Sequence, residues 1–313
     1  MRVVVTGAAG FVGRNLVAGL SSNKEIELHA TDVRRDVAVP STNVSFLDVS
    51  DSAAVFSALI DADIVVHLAT HPLVPSLSDP ELNARVNIMG MLNILEAARK
   101  TKIKKVIFSS ASSIIGDVLH NPVDEKHPCN PKTPYAVTKL ACEHYLKVYQ
   151  NLFGLDYVVF RFFNIYGPYQ PEGLIPSIYR KIMARADIDV YGDGKQMRDY
   201  VYVHDLNPIF EKAILGSVRN VILNAGTGKG STVLEVIELA GKILQRQPKM
   251  KFNPPRPGEI QNFVASTDML RAELGMVPTT SIEDGLSRTF GWLNANCRSS
   301  WQSRCNYHRG QQP

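Results

Sequence analysis

Near its start the chain reads Thr6-Gly7-Ala8-Ala9-Gly10-Phe11-Val12-Gly13, between an apolar run at Arg2–Thr6 and a helical pattern at Phe11–Leu20. Glycines at this G-x-x-G-x-x-G spacing let the backbone turn tightly and approach a pyrophosphate. The N-terminus of the following helix offers free N–H groups and the positive end of a dipole to that anion. The sequence therefore predicts a dinucleotide-binding turn built on Gly7, Gly10 and Gly13.

The first half of the chain alternates β-branched runs with amphipathic patterns. The predicted strands are Arg2–Thr6, Ile26–Thr31, Val44–Leu47, Asp63–Leu68, Lys104–Ser110 and Tyr157–Arg161. The predicted helices are Phe11–Leu20, Ser52–Ile60, Glu81–Lys100 and Tyr135–Leu152. This alternation predicts an α/β fold, with a Rossmann-type doubly wound parallel sheet and a smaller C-terminal α/β substrate lobe.

The pattern changes after about residue 165, where turn signals crowd together around helical patterns at Ile175–Ala186 and Thr232–Gln245. We therefore divide the chain into three parts. Residues 1–165 form the dinucleotide-binding Rossmann domain, and residues 166–295 form a substrate-binding lobe that is interleaved with the sheet. Residues 296–313 are polar and form an irregular tail.

Composition excludes several classes of protein. The 313 residues are 45% hydrophobic and carry a net charge of +4, with no basic stripe, so no nucleic-acid partner is expected. No apolar run approaches the roughly 20 residues of a membrane span, and the first residues lack the plan of a secretory signal. The four cysteines form no C-x-x-C pair, so we expect neither a metal site nor disulfides, and a cytoplasmic location.

Asp32 ends the second predicted strand, 19 residues after Gly13. A carboxylate at this point of a dinucleotide fold accepts hydrogen bonds from the adenosine ribose and repels a 2′-phosphate. We therefore expect NAD rather than NADP as the cofactor. Arg34 and Arg35 represent the alternative, because their guanidinium groups would suit that phosphate.

Tyr135 and Lys139 stand four residues apart at the start of a predicted helix. Residues at this spacing share one helical face, so the phenol and the ammonium group would point into one site. A free tyrosine has a pKa of roughly 10, and a nearby cation favours the phenolate and lowers that pKa. The pair is therefore a candidate general acid and base for a sugar or alcohol hydroxyl.

Taken together, the motifs resemble those of an extended short-chain dehydrogenase/reductase of the NAD-dependent epimerase/dehydratase family. The likeness covers residues 1–293 and is greatest to enzymes of the UDP-galactose (UDP-glucose) 4-epimerase type. It rests on TGAAGFVG, Asp48-Val49, HLAT at 67–70, Asn87 in VNIMGMLNILEAAR, SSASSIIG at 109–116, YAVTK, RFFNIYGP at 161–168 and Gln196-Met197-Arg198-Asp199-Tyr200. The resemblance implies a homodimer that acts on a nucleotide-diphosphate sugar, with a UDP-sugar favoured.

The resemblance also implies roles for individual residues. Phe11 and Val12 would lie along the pyrophosphate, and Asp48 and Val49 would flank the adenine. The other cofactor residues implied by position are Leu68, Ala69, Thr70, Ser109, Tyr135 and Lys139 along the cofactor, with Asn87 and Phe163 near the nicotinamide. The implied substrate residues are Asn164, Arg198 and Arg256 on the nucleotide diphosphate, together with Ser112, Ser113, Tyr135, Leu174 and Tyr191.

One position departs from the family pattern. Five residues before Gly116, where the family usually has Ser or Thr, this chain has Ala111, and Ile115 replaces the usual aromatic. We expect Ser112 to supply the missing catalytic hydroxyl, directly or through a water. This requires that the strand has ended and the backbone turns by residue 111, because adjacent strand residues point opposite ways.

These features favour an NAD-dependent nucleotide-sugar 4-epimerase, which would form a transient 4-keto sugar by hydride transfer to and from tightly bound NAD. In the resembling family, the 4,6-dehydratases carry Asp-Glu at the positions of Ser112 and Ser113, and the decarboxylases carry Glu at the position of Ser113. This sequence has no carboxylate at either position, which argues against both. Two alternatives stay open. One is a nucleotide-sugar 4-reductase or dehydrogenase, and the other is a non-catalytic NAD- or sugar-nucleotide-binding protein.

Overall fold

Seven parallel strands form the central sheet of the computed structural model, which describes residues 1–34, 37–40, 42–101, 103–256 and 258–305. The sheet order is β10-β6-β5-β4-β1-β2-β3. Its strands are β1 (Arg2–Thr6), β2 (Glu27–Asp32), β3 (Val44–Phe46), β4 (Ile64–His67), β5 (Lys105–Ala111), β6 (Asp156–Phe162) and β10 (Val221–Ala225). Each of the six strand pairings is parallel. The predicted doubly wound sheet is confirmed, with its strand order reversing between β1 and β4.

Helices cover both faces of this sheet. The helices of the structure are α1 (Phe11–Leu20), α2 (Ser52–Leu59), α3 (Leu73–Ser76), α4 (Pro80–Ala84), α5 (Gly90–Lys100), α6 (Pro134–Phe153), α7 (Leu174–Met183), α8 (Leu206–Leu215), α9 (Val233–Leu244), α10 (Asp268–Leu274) and α11 (Ile282–Cys305). One apolar cluster joins α1, α8 and α10 to the sheet, and a second joins α2, α5 and α6 to its other face. Burial on both faces explains why these strands are apolar almost throughout.

The helix predicted over Glu81–Lys100 is interrupted. It begins one residue earlier at Pro80, and a π-helical turn at Arg85–Met89 separates α4 from α5. The wider turn inserts an extra residue between the two helices, and Asn87 is buried within it. Periodicity alone does not reveal such a turn, because the apolar pattern continues on both sides of it.

The second half of the chain forms a smaller lobe and also returns to the central sheet through β10. In the lobe, β7 (Asn164–Tyr166), β9 (Met197–Tyr202), β11 (Gly230–Thr232) and β13 (Asn262–Phe263) form one sheet, and β8 (Asp187–Tyr191) pairs with β12 (Lys249–Asn253). A third apolar cluster packs α7, α9 and α11 against β8 and β9. The strand β7 follows β6 after one residue, so the lobe is attached at the carboxyl edge of the central sheet.

The tail prediction is corrected in part. Residues 296–305 continue the helix α11, which begins at Ile282, whereas we expected irregular structure from residue 296. No glycine or proline lies between Gly291 and Gly310, so nothing in the sequence breaks the helix once Leu286 and Phe290 have anchored its start in the core. Residues 306–313 lie outside the described residues, as does Arg35.

Candidate active site

A cavity of about 640 Å³ lies at the carboxyl edge of the sheet, where the strand order reverses between β1 and β4. Open α/β sheets bind ligands at such a position. The wall is formed by Gly7, Gly10, Phe11, Val12, Gly13, Asp32, Val33, Arg34, Leu47, Asp48, Val49, Leu68, Ala69, Thr70, His71, Pro72, Val86, Ser109, Ser110, Tyr135, Lys139, Phe162 and Pro171. The structure thus brings most of the predicted cofactor residues into one cavity.

The glycine turn has no room for side chains at two of its positions. Gly7 has a φ of +72°, and a Cβ there would lie 2.5 Å from the backbone nitrogen of Ala69. A Cβ on Gly13 would lie 2.2 Å from the carbonyl oxygen of Gly7. Gly10 is the N-cap of α1 and has no side chain to cover the first N–H groups of the helix. This cradle, open to an anion at the helix N-terminus, fits the pyrophosphate of a dinucleotide.

Asp32 is almost fully buried beside this turn. One carboxylate oxygen accepts a hydrogen bond from the backbone N–H of Ala9 at 2.9 Å, and the other accepts from the backbone N–H of Arg34 at 2.9 Å. The guanidinium group of Arg34 also pairs with Asp32, with Nε at 3.3 Å from the carboxylate. The carboxylate therefore fixes the glycine turn as well as facing the cavity, and it engages the Nε of Arg34.

Tyr135 and Lys139 both lie on the cavity wall, at the start of α6. Thr133 caps this helix by accepting a hydrogen bond from the N–H of Ala136, and Pro134 is its first residue. The ammonium group of Lys139 donates a hydrogen bond of 2.7 Å to the carbonyl of Ser109 and lies 5.6 Å from the centroid of the Tyr135 ring. The helix thus holds the phenol and the ammonium group on one face, as their spacing predicted.

The pKa of Tyr135 shifts in the direction opposite to the one expected from the sequence. Burial raises the pKa of Tyr135 rather than lowering it, and burial lowers the pKa of Lys139 to about 8. Both shifts have the same cause, because a site poor in water disfavours the charged form of each group. The hydrogen bond of the ammonium group goes to Ser109, and its charge does not reverse this effect of burial on Tyr135.

Asn87 and Phe163 do not form part of the cavity wall. The amide of Asn87 donates to the hydroxyl of Thr138 at 2.9 Å, and its oxygen accepts from Thr70 at 3.1 Å and from the N–H of His71 at 2.7 Å. Asn87 therefore ties the segment after β4 to the first turns of α6. Phe163 is buried against Phe263, with ring centroids 5.1 Å apart.

The serines around Ala111 have separate environments. β5 ends at Ala111, and a 3-10 turn begins at Ser112, so the backbone does turn where the Ser112 hypothesis requires it. Ser112 is buried and Ser113 has a buried hydroxyl without a hydrogen-bond partner among the described residues, but neither forms part of the cavity wall.

The hydroxyls of Ser109 and Ser110 are already engaged. Ser109 donates to the carbonyl of His67 at 3.3 Å, and Ser110 donates to Glu143 at 2.6 Å. Glu143 also forms a buried ion pair of 2.8 Å with Arg161. The Ser110 hydroxyl is therefore bound to a carboxylate that is itself fixed by an arginine.

Three of the predicted substrate residues lie in the smaller lobe, namely Tyr191, Arg198 and Arg256. Arg198, on β9, pairs with Glu259 at 2.5 Å and donates to the carbonyls of Met197 and Ile260. Arg256 lies with its guanidinium carbon 4.0 Å from the centroid of the Tyr191 ring. The two arginines therefore differ, because Arg198 is held by an acidic partner that the sequence did not reveal, whereas Arg256 is exposed on an aromatic face.

Asn164 and Leu174 flank the segment that connects the two halves. Asn164 begins β7, two residues after the cavity residue Phe162, and its amide donates to the carbonyl of Asp199 at 3.3 Å. Leu174 is the first residue of α7 and is partly exposed. Neither residue forms part of the cavity wall.

Several wall residues were missed by sequence reasoning. They are Leu47, His71, Pro72, Val86, Ser110, Phe162 and Pro171, together with Val33. Most of them stand next to a motif that was recognised, such as His71 after HLAT at 67–70, and adjacency to the carboxyl end of a strand is the signal that identifies them. Pro171 has no such signal, because it reaches the wall from the segment after β7.

The described part of the chain contains no group of three or more His, Cys, Asp or Glu side chains that could hold a metal ion. No helix within it is long and apolar enough to cross a membrane.

Comparison with known proteins adds three findings. The family described as NAD dependent epimerase/dehydratase matches residues 3–226. The structure is similar to that of the UDP-glucose 4-epimerase of Thermotoga maritima with UDP-glucose, at a TM-score of 0.88 and 30% identity, covering 94% of this chain and 99% of the other. It is also similar to the UDP-glucose 4-epimerase of Thermus thermophilus in complex with NAD, at a TM-score of 0.85 and 33% identity, covering 95% and 100%.

A relative of another activity is about equally similar in sequence. The dTDP-glucose 4,6-dehydratase of Streptomyces niveus is 30% identical over 323 residues, which covers 96% of this chain and 95% of the other.

Proposed function

The chain belongs to the NAD-dependent epimerase/dehydratase family, and on that premise we propose that it is a nucleotide-sugar 4-epimerase. One observation carries the proposal. Tyr135 and Lys139 lie together on the wall of the dinucleotide cavity, while the positions that bear acids in dehydratases and decarboxylases hold Ser112 and Ser113. The site can therefore move a proton at a sugar hydroxyl, but it lacks at those positions the acid that elimination would use.

NAD is the cofactor, and it fits this cavity. The glycine cradle around Gly7 and Gly13 has no room for side chains and would hold the pyrophosphate, and Asp32 on the same wall would hold the adenosine ribose. Asp48 and Val49 would flank the adenine, and Tyr135 and Lys139 mark the nicotinamide end of the wall. NAD supplies, when bound, the acceptor and donor of a hydride together with a positive charge on its oxidised ring.

Tyr135 and Lys139 would carry out the transfer of the C4 hydroxyl proton. Tyr135 takes the proton of the C4 hydroxyl as the sugar is oxidised to the transient 4-keto form, and it returns the proton after the sugar has turned over. Lys139 holds its charge beside the phenol, and its hydrogen bond to Ser109 keeps the ammonium group in place. Because burial alone raises the pKa of Tyr135, the phenolate must depend on positive charge in the loaded site.

A UDP-sugar is the favoured substrate. This proposal draws on the resemblance to UDP-glucose 4-epimerases, and on the exposed guanidinium of Arg256 stacked on Tyr191. Arginine suits the geometry of a diphosphate, and an aromatic partner keeps the guanidinium oriented without consuming its donors. Asn164 and Leu174 would contact the same ligand where the lobe meets the cavity.

A reductase or dehydrogenase is the second candidate, and a non-catalytic binder is the third. The reductase stays open because hydride chemistry alone needs no extra acid. Ala111 favours the binder, because it removes the hydroxyl that the family usually places beside the tyrosine. Incubation with a panel of UDP-, GDP- and dTDP-sugars separates the three. An epimerase interconverts 4-epimers without net change in NADH, a reductase or dehydrogenase shows net turnover of cofactor, and a binder does neither. Failure to interconvert any sugar would overturn the proposal.

A homodimer through α6 is part of the proposal. Val137, Ala141, Tyr145, Val148 and Leu152 recur every three or four residues and form one apolar stripe, and Leu152 is 67% exposed. A stripe of this kind on a long surface helix favours contact with an identical stripe on a second copy. Leu152→Glu should shift the sedimentation mass to that of a monomer, whereas Leu119→Glu, at an exposed leucine elsewhere, should not.

A cytoplasmic location is also proposed. Cys129 and Cys142 are unpaired thiols, and reducing compartments keep thiols in that form.

A further inference from the structure

A short segment after β7 joins the two halves of the molecule beside the cofactor cavity. We name residues 167–173 the strap. Its residue Pro171 forms part of the cavity wall, and the carbonyl of Pro168 accepts a hydrogen bond of 2.9 Å from Asn15 of α1. Gly167 and Gly173, at its two ends, have φ values of +149° and +123°. The strap therefore begins and ends at residues whose backbone conformations suit glycine.

Tyr169 is held in the middle of the strap from both sides. The guanidinium carbon of Arg14 lies 5.0 Å from the centroid of its ring. The ring of Trp292, on α11, packs edge-on against it with centroids 4.7 Å apart. Arg14 belongs to the first turns of α1, next to the glycine cradle, whereas Trp292 belongs to the smaller lobe. The tyrosine ring thus connects the cofactor domain to the lobe.

The backbone conformation of Tyr169 indicates that these ring contacts stabilise the strap. Its φ is +66°, a left-handed conformation that is unfavourable for a residue other than glycine. Asparagine or glycine would suit the position better, so the conformation must be stabilised by what the tyrosine ring contacts.

Part of the Arg14 side chain makes no other polar contact among the described residues. Its Nε is buried and has no hydrogen-bond partner among the described residues. Burial and the charge of Arg34 lower the pKa of Arg14, which indicates that it lies close to the other cation at the ribose end of the cavity. The face of the Tyr169 ring partly compensates the guanidinium for lost water.

We propose that Arg14 and Tyr169 are positioning residues that retain NAD, because their stacking holds Pro171 and the strap against the cavity wall. The cofactor cannot leave past this side of the cavity unless the ring contact opens. Tightly held NAD suits an epimerase, whose cofactor ends each cycle unchanged. The inference rests on the proposed function only through the presence of NAD in this cavity.

The test measures release of NAD from the loaded protein, without any sugar. Protein loaded with NAD is freed of excess cofactor by gel filtration, and the NAD that appears in an ultrafiltrate is followed over time with excess ADP-ribose as a trap. Tyr169→Ala should release NAD about tenfold faster than the unmodified protein, as expected for the loss of a partly buried cation–π contact and an aromatic pair. Tyr169→Phe keeps the ring and should release NAD at the unmodified rate.

Combining the changes distinguishes the strap from a simple charge effect. Arg14→Ala should also accelerate release, and Arg14→Ala with Tyr169→Ala should be no faster than the faster single variant, because both remove one contact. Arg246→Ala, at an exposed arginine that binds the carbonyl of Met183, is the control and should leave release unchanged.

Three results would overturn the inference. They are release within twofold of the unmodified rate in Tyr169→Ala, equally fast release in Tyr169→Phe, and fully additive effects of the two alanine changes. Thermal unfolding of each variant shows that it is folded. Protein that retains no NAD at all would contradict the proposed function instead, so the two failures are distinguishable.

Discussion

The amide of Asn87 donates a hydrogen bond of 2.9 Å to the hydroxyl of Thr138, although 51 residues separate them along the chain. Thr138 lies between Tyr135 and Lys139, and its hydroxyl also contacts the carbonyl of Tyr135 at 2.9 Å. The π-helical turn that carries Asn87 therefore supports the turn of α6 that carries the proposed acid and base. π-helical turns are frequent at functional sites, and this one supports the proposed acid and base through the hydrogen bond from Asn87 to Thr138.

We predict that Asn87→Ala lowers both stability and turnover. The change leaves buried hydrogen-bonding groups of Thr138 and His71 without their partner, which costs about 1–3 kcal/mol of unfolding free energy. Denaturant unfolding and steady-state rates check this. Unchanged stability with weakened NAD binding alone would mean that Asn87 contacts the nicotinamide, as the family resemblance implied.

We predict that Tyr135→Phe abolishes turnover and leaves NAD binding nearly intact. The ring still packs on the cavity wall, but no oxygen remains to move the proton. Turnover and the NAD dissociation constant are measured on the same preparation. A loss under tenfold, or about 1.4 kcal/mol of barrier, is too small for the sole acid and base and would remove Tyr135 from that role.

We predict that Asp32→Ala weakens NAD binding and narrows the preference for NAD over NADP. The ribose loses its acceptor, the glycine turn loses the bond to Ala9, and Arg34 is released to meet a 2′-phosphate. Titration with both dinucleotides measures the two affinities. Tighter binding of NADP by the unmodified protein would show that the nearby arginines dominate and that the choice of cofactor is wrong.

The alanine at 111 leads to a paired prediction. If Ser112 replaces the missing hydroxyl, Ser112→Ala should cost at least tenfold in turnover, because aligned acid–base assistance is worth roughly a hundredfold or more. Ala111→Ser should raise the rate. Steady-state rates for both variants decide the matter, and an unaffected Ser112→Ala with Ala111→Ser no faster would mean that Tyr135 acts directly on the sugar.

His67 gives a prediction for pH. Burial lowers the pKa of this imidazole from 6.5 to about 3. Between pH 6.5 and pH 3, His67 is therefore protonated in the unfolded chain and neutral in the folded chain. Unfolding free energy should therefore fall as the pH drops from 6.5 towards 3, by up to about 1.4 kcal/mol per pH unit from this group.

Substitution of single histidines separates the contribution of His67 to the acid slope from that of other groups. Urea unfolding at several pH values should show a shallower acid slope in His67→Gln than in the unmodified protein. His144→Gln, at an exposed histidine, should keep the slope. Equal slopes in all three proteins would contradict the assignment.

The sequence by itself determined the parallel sheet, the glycine cradle and the common face of Tyr135 and Lys139. These depend on local geometry: the periods of strands and helices, the positive φ of Gly7, and the four-residue spacing of a helical turn. The strands and the helix α1 accordingly lie within about two residues of their predicted bounds.

Only the tertiary structure decided which polar groups meet. Glu259 pairs with Arg198 across 61 residues, and Trp292 meets Tyr169 from the far end of the chain. It also decided that burial, not the neighbouring ammonium group, sets the acidity of Tyr135. Such relationships depend on how completely each side chain is removed from water and on which partner then satisfies it, and both are properties of close packing rather than of local pattern.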